Sequence, residues 1–370
     1  MKRKDFVKLG LSGVIGGALL GSSCQQNKEG DQESSVSIDP NKKFKWKMVT
    51  TWPSNFPVVG EGCNRLASWI NTMSAGRIEV KVYGGGELVP PLQVFEAVSG
   101  GSVEMGHGAS YYWAGIEPAF QFFTSIPFGM NAQQMNAWLE YGGGKELWEE
   151  LYARFNIIPF PAGNTGGQMG GWYNRKIENI GSFKGLKMRM PGLGGKVIEA
   201  AGATAVLSPG SELYTNLERG VIDATEWIGP YHDWLMGFPD IAKYYYYPGF
   251  HELGSVLECI VNKRAFNSLP DDLKEIVRTA CYRANQDMLS EFEAKNNLYL
   301  KKIREETDVE ILPYPKDVLD EMKEISFRIY DELAAKDEWS NRVYTSFKAF
   351  KEDVSEWNSI GERSFYNEIM

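Results

Sequence analysis

Apolar positions along this chain switch repeatedly between two spacings. In FKWKMVTTW, from Phe44 to Trp52, Phe44, Trp46 and Met48 alternate with Lys45 and Lys47, which predicts a strand. In PVVGEGCNRLASWINTMSAG, Val59, Cys63, Leu66, Trp69, Ile70 and Met73 recur at helical spacing, and Gly76 closes the helix. RIEVKVYG alternates again, with Ile78, Val80 and Val82 on one face. A strand, a helix-length crossover and a second strand suit a parallel sheet.

The alternation continues. PPLQVFEAVSGGSVEMGHGASYY predicts a helix and a short strand, and LWEELYARFNIIPFPAG a helix running into the next strand. GLKMRMPG, TAVLSP and VIDATEW predict strands. LGGKVIEAAG and SELYTNLERG between them predict helices, the second with Leu213, Tyr214 and Leu217 on one side and Gly220 as its stop. From Pro270 to about Glu306 the pattern is one long helix, with Asp271 and Asp272 at its positive end. More helix follows from Lys316 onward. Two α/β domains with a cleft between them is the natural inference, and ligands in such sheets sit at the carboxyl ends of strands.

The first residues follow a different pattern. Lys2, Arg3, Lys4 and Lys8 precede the short apolar run LGLSGVIGGALLGSS, which reads as an export signal. RKDFVK resembles the twin-arginine pattern, with Arg3-Lys4 in place of the arginine pair, so both export routes stay open. LLGSSC resembles a lipobox ending at Cys24, although Leu20 stands four residues before the cysteine rather than three. Residues 1–24 are therefore expected to be an export signal with a lipobox, the alternative being a signal peptide cleaved elsewhere. The polar stretch 25–43 is expected to be a flexible tether.

Charge and composition narrow the classes. The chain of 370 residues carries a formal net charge of −9, which leaves no electrostatic footprint for nucleic acid. Cys63, Cys259 and Cys281 are odd in number and widely spaced, against a disulfide framework or zinc site, and they read as buried small hydrophobes. No HExxH, GxSxG, phosphate loop or GxGxxG is present. His107, His232 and His251 are too few to supply a zinc site or triad easily, and each reads as a hydrogen-bonded structural residue.

What remains is a set of polar residues at strand ends and in loops. GNTGGQMGGW holds Asn164, Thr165 and Gln168 among five glycines, either a flexible loop or a place where backbone approaches a ligand. Arg189 precedes Pro191-Gly192 and is either a surface charge or a fork for a carboxylate. Glu226 and Trp227 end the segment GVIDATEW, and Glu252 lies in GFHELGS; each carboxylate alone reads as solvated or salt-bridged. Together, two carboxylates and an amide oxygen suit a hard cation such as Na⁺ or Ca²⁺, while an arginine can take a carboxylate.

Four stretches carry a family resemblance: GHGASYYWAGIEPAFQFFTSIPFGM, GNTGGQMGGWYNRKI, LKMRMPGLGGKVIEAAGATAVLSPGSELYTNLERG and GVIDATEWIGPYHD. From about Phe44 to about Lys348 the chain resembles the solute-binding subunits of TRAP (tripartite ATP-independent periplasmic) transporters, in the branch that binds 2-oxo acids or lactate with a metal ion. The resemblance implies a periplasmic-binding-protein-like fold of two α/β domains around a cleft, with crossing strands and a long helix spanning both. It implies domain I from 44–166 plus 255–295, and domain II from 167–254 plus 296–370 with the C-terminal helices. It implies that Arg189 grips the ligand carboxylate, that Gln168, Glu226, Trp227 (through its carbonyl) and Glu252 surround the metal, and that Tyr111 and Asn164 line the pocket. The cofactor so implied is Na⁺ or Ca²⁺.

The implied function is capture of a small 2-oxo or 2-hydroxy monocarboxylate, such as pyruvate or lactate, and its delivery to membrane permease subunits. The protein is then no enzyme and works in the periplasm, lipid-anchored at Cys24. The amphipathic run MKEISFRIYDELAAK allows a homodimer through the C-terminal helices. TTWPSNFPVVGEG is a departure, a loop able to alter the pocket mouth. Two rival classes stay open: a metal-assisted oxo-acid lyase, with Glu226 or Glu252 as a free base, and an aromatic-rich sugar-binding surface lipoprotein.

Overall fold

A computed structural model of the chain describes residues 42–369. The expected export signal, Cys24 and nearly all of the tether lie outside those residues. The described residues form eleven strands: β1 (Phe44–Thr50), β2 (Ile78–Tyr83), β3 (Met105–Gly108), β4 (Ile157–Asn164), β5 (Gly171–Tyr173), β6 (Lys187–Arg189), β7 (Thr204–Val206), β8 (Ala224–Thr225), β9 (Tyr244–Tyr247), β10 (Val256–Asn262) and β11 (Glu310–Pro313). They make two mixed sheets, one ordered β2-β1-β3-β10-β4 and the other β11-β9-β5-β8-β6-β7.

In the first sheet β1 runs parallel to β2 and β3, while β10 is antiparallel to β3 and β4. β10 is buried along its whole length, which matches the apolar run VLECIV, interrupted only by Glu258. β4 carries Pro159 and Pro161, residues that cannot donate to a ladder on both sides, and it lies at the sheet edge. In the second sheet β6 is parallel to β7 and β8, and β5 is antiparallel to β8 and β9.

The chain crosses between the sheets three times. Residues 165–170 lead from β4 to β5, and residues 248–255 return from β9 to β10. The third crossing is the helix Asp271–Glu306, which joins β10 to β11. Its 36 residues span about 54 Å. It begins directly after Pro270 and packs on β4, where the place of a Cβ at Gly163 is taken by Met288. No helix among the described residues is long and apolar enough to cross a membrane.

Two expected elements come out shorter. VIDATEW narrows to the two residues of β8, because the chain leaves the ladder after Glu226 and the Ile228 carbonyl instead accepts from Met169 N, 3.1 Å away. The helix expected from PPLQVFEAVSGGSV is a 3-10 turn, Pro91–Gln93, followed by Val94–Ser99 alone, and Gly101 adopts a left-handed φ of 76° just beyond it. Cys63, Cys259 and Cys281 are free thiols, all buried.

Candidate metal and carboxylate site

Register sets half of the site. β6 and β8 are parallel neighbours with Arg189 opposite Thr225, so Arg189 and Glu226 emerge side by side at their carboxyl ends. The Arg189 guanidinium pairs with the Glu226 carboxylate, and both side chains are only 1% exposed. Arg189 Nη2 donates to the Tyr112 hydroxyl at 3.2 Å, and Nε donates to the Ser208 carbonyl at 3.3 Å. Tyr112 follows β3 of the first sheet, so this bond joins the two sheets across the site. Burial alone would lower the Arg189 pKa, but the Glu226 charge together with the neighbouring Tyr112 and Tyr111 outweighs it and holds the guanidinium above its ordinary value.

The crossing segments supply the other half. They run alongside each other, with Gln168 N donating to the Glu252 carbonyl at 3.1 Å and Gly249 N to the Gln168 carbonyl at 3.0 Å. A Cβ at Gly249 would stand 2.4 Å from that carbonyl oxygen, so this close approach requires glycine. Glu252 accepts from Gln168 Nε2 at 2.7 Å and from the Ser255 hydroxyl. His251 Nε2 donates to Glu226 Oε2 at 3.3 Å. Glu226, His251 and Glu252 each bring a ligand atom within 4.8 Å of the others, and all three are buried. Burial, then the Glu226 charge, pushes the Glu252 carboxyl up to about 7.

Several buried polar atoms around this cluster have no partner among the described residues. Gln168 Nε2 is spent on Thr165 Oγ1 and Glu252, which leaves its Oε1 as a free buried acceptor. Asn164 Oδ1 accepts from Gly166 N at 2.8 Å, which leaves its Nδ2 as a free buried donor. Trp227 Nε1, Ser208 Oγ and His251 Nδ1 are likewise unpartnered. Unpaired buried polar atoms are costly, and several gathered at one place point to a missing partner. The donor set fits a hard cation: two carboxylates and an amide oxygen are the ligand types Na⁺ and Ca²⁺ prefer.

Of the residues singled out in the sequence, Gln168, Arg189, Glu226 and Glu252 are linked by these bonds and Asn164 lies at the end of β4 beside them. The Trp227 ring covers Arg189, 5.5 Å from the guanidinium carbon. Tyr111 is buried 4.8 Å, centroid to centroid, from Tyr112, but it is Tyr112 that touches Arg189. His107 and His232 are hydrogen-bonded outside the cluster: His107 accepts from Trp52 Nε1 at 2.8 Å and faces the Ala162 carbonyl, and His232 faces the Pro57 carbonyl. His251, read from sequence as a structural residue, instead sits within the carboxylate cluster. Its neighbour Glu252 was the signal available.

The family model for bacterial extracellular solute-binding proteins, family 7 (DctP), matches residues 48–337. A monocarboxylate 2-oxoacid-binding periplasmic protein of Nostoc sp. is 41% identical over 367 residues, covering 99% of this chain and 98% of that protein. Among solved structures, a TRAP periplasmic solute-binding protein of Pseudoalteromonas atlantica with bound sodium and pyruvate superposes with a TM-score of 0.87 at 39% identity, covering 89% of this chain and 100% of that one. A TRAP periplasmic solute-binding protein of Colwellia psychrerythraea with bound calcium and pyruvate gives 0.86 at 39% identity, with the same coverage.

Proposed function

This chain belongs to the DctP family of TRAP solute-binding proteins, and from that premise we propose that it captures a small 2-oxo or 2-hydroxy monocarboxylate together with a cation. The observation that carries the reading is the free Gln168 Oε1 beside the Glu226–His251–Glu252 cluster, next to a fully buried arginine. Pyruvate with Na⁺ or Ca²⁺ in the two related structures supports this class of ligand.

In this reading Arg189 binds the acid's carboxylate. Its guanidinium has five N–H groups, of which those on Nη1 face Glu226, one on Nη2 reaches Tyr112 and Nε is held by Ser208. The second Nη2 hydrogen and the Tyr112 hydroxyl hydrogen are left for the acid. Asn164 Nδ2 is a further donor for a ligand oxygen. The backbone contact to Ser208 and the Trp227 ring fix the plane of the fork, and Tyr111, Tyr112 and Trp227 exclude water from it. Gln168, Glu226, Glu252 and the Trp227 carbonyl would hold the cation. Bound there, the ion supplies an oxygen-seeking centre that favours acids with a second oxygen beside the carboxylate.

Membership of the family supports the remaining roles. The protein works in the periplasm, carries its solute without turning it over, and delivers it to the membrane subunits of a TRAP transporter. Anchoring at Cys24 is proposed from the sequence alone. A homodimer through the C-terminal helices is supported by Trp357, Ile360 and Tyr366, which stand exposed there. Division into lobes of 44–166 with 255–295, and 167–254 with 296–370, is supported by the strand membership of the two sheets as far as β11, whereas the helix Glu338–Ile360 packs on Ala132–Tyr141 and Gly144–Ala153 of the first lobe.

Calorimetry tests the site. Protein stripped of cations by chelator and dialysis should bind pyruvate weakly, and added Na⁺ or Ca²⁺ should restore binding without consumption of the acid. Full binding by stripped protein, or loss of pyruvate over time, would refute the reading.

A further inference from the structure

The helix Pro230–Leu235 begins three residues after Trp227 and is fastened on two sides. Asp233 secures it within the second sheet, accepting from Trp172 Nε1 at 2.9 Å, from the Tyr245 hydroxyl at 2.6 Å and from Ile228 N at 3.2 Å. Its neighbour His232 reaches the other way. His232 Nε2 donates to the Pro57 carbonyl at 2.7 Å, in the loop that follows β1 of the first sheet. The His232 ring is gripped edge-on by Phe56 at 4.7 Å and by Phe292 of the long helix at 4.8 Å. The same two segments meet again over the site, where Trp52 and Trp227 lie edge to face at 6.4 Å.

The Pro57 carbonyl is presented by an unfavourable backbone. Val58 has φ 59° and ψ −68°, and Val59 N returns to the Pro57 carbonyl at 2.7 Å, which makes a tight γ-turn centred on a β-branched residue. Strain of this kind persists where surrounding contacts hold it. Here the following helix holds the turn from its own side, with Gly62 N donating to the Val58 carbonyl at 2.7 Å, and the side-chain contact on its Pro57 carbonyl comes from the opposite sheet.

We propose that His232 is a clasp that holds the two sides of the ligand site together, a positioning residue for retention of the bound acid, with the Val58 turn as a spring working against it. The inference rests on the carboxylate reading above for its ligand. His232 reaches no ligand atom; it acts by keeping the Glu226–Trp227 segment against the 52–58 loop. Bond and spring oppose each other, so the clasp closes firmly with solute in place and opens readily for delivery.

His232→Phe keeps the ring packing and removes the donor, while Val58→Gly removes the strain. The test pairs stopped-flow tryptophan fluorescence, using pyruvate in Ca²⁺, with amide hydrogen exchange of the ligand-free protein over residues 56–62. His232→Phe should speed pyruvate release about tenfold, the effect of losing one buried hydrogen bond, with little change in association rate. It should also speed exchange in that segment. Val58→Gly should slow release in the native background and do so less when combined with His232→Phe. Native release and exchange rates in His232→Phe, or equal effects of Val58→Gly in both backgrounds, would overturn the clasp. If His232→Phe does not fold, an unchanged release rate in Val58→Gly overturns it alone. If the native protein binds no acid, the carboxylate reading falls, and the exchange measurement decides the clasp separately.

Discussion

Arg189 and Glu226 end neighbouring parallel strands and neutralise each other in a place closed to water. Neither can be removed without leaving the other buried and unpaired. Arg189→Ala should therefore weaken pyruvate binding by roughly 2–5 kcal/mol, since the ligand carboxylate also loses its partner. Arg189→Lys should not rescue it, because a point charge cannot replace a fork held at once by Glu226, Tyr112 and Ser208. Calorimetry in Ca²⁺ checks both, and native affinity in either variant would remove Arg189 from the site.

Glu252 tests the cation separately. Glu252→Gln keeps an acceptor for Gln168 Nε2 and removes a negative charge beside Glu226. A divalent ion loses about twice the Coulomb energy of a monovalent one at the same distance. Ca²⁺-supported pyruvate binding should thus fall more steeply than Na⁺-supported binding. Titrating each ion at fixed pyruvate measures the two losses, and equal losses would place Glu252 outside the ion's surroundings.

The sequence made the strands and the long helix visible because both rest on local periodicity. FKWKMVT alternates for a half-buried strand, and Pro270 with two aspartates marks where the helix Asp271–Glu306 begins. Gln168, Arg189, Glu226 and Glu252 could be singled out as polar residues at strand ends or in glycine-rich loops. That they meet could not be read locally, since it depends on two crossing segments that bond to each other through Gln168 and Glu252. Choosing Tyr112 over Tyr111 needed the 3-10 geometry of Ser110–Trp113, where successive side chains point about 120° apart. The role of His251 is illegible for a similar reason: a loop has no period to say which of two neighbours faces inward.

Glu258 links the fold to pH. It is buried in β10, accepting from Trp113 Nε1 at 2.6 Å and the Tyr152 hydroxyl at 2.9 Å, and burial pushes its carboxyl up to about 7 from an ordinary 4.5. Between those values the folded state holds a proton the unfolded chain has lost. The stability it contributes is therefore full below pH 4.5 and is lost as pH rises through 7, a change on the order of 3 kcal/mol. Urea unfolding of native protein and Glu258→Gln across pH 4.5 to 8 should show the native protein losing that much relative to the variant. A constant difference would mean Glu258 titrates normally.

Gly210 shapes the wall over Arg189. A Cβ there would stand 2.4 Å from the outer carbon of the Trp227 ring, and its backbone φ is not left-handed, so the obstacle is steric alone. The ring cannot yield freely: it lies over the Arg189 guanidinium and meets Trp52 edge to face. Overpacking of this kind costs about 1–3 kcal/mol. In Gly210→Ala that strain should appear in the closed, liganded form, as about tenfold weaker pyruvate binding. The signature is altered tryptophan fluorescence together with the weaker binding. Gly115→Ala is the control, since a Cβ there meets nothing within 4 Å. Native binding and native fluorescence in Gly210→Ala would show that the indole moves aside at no cost, and that Trp227 does not set the height of the wall.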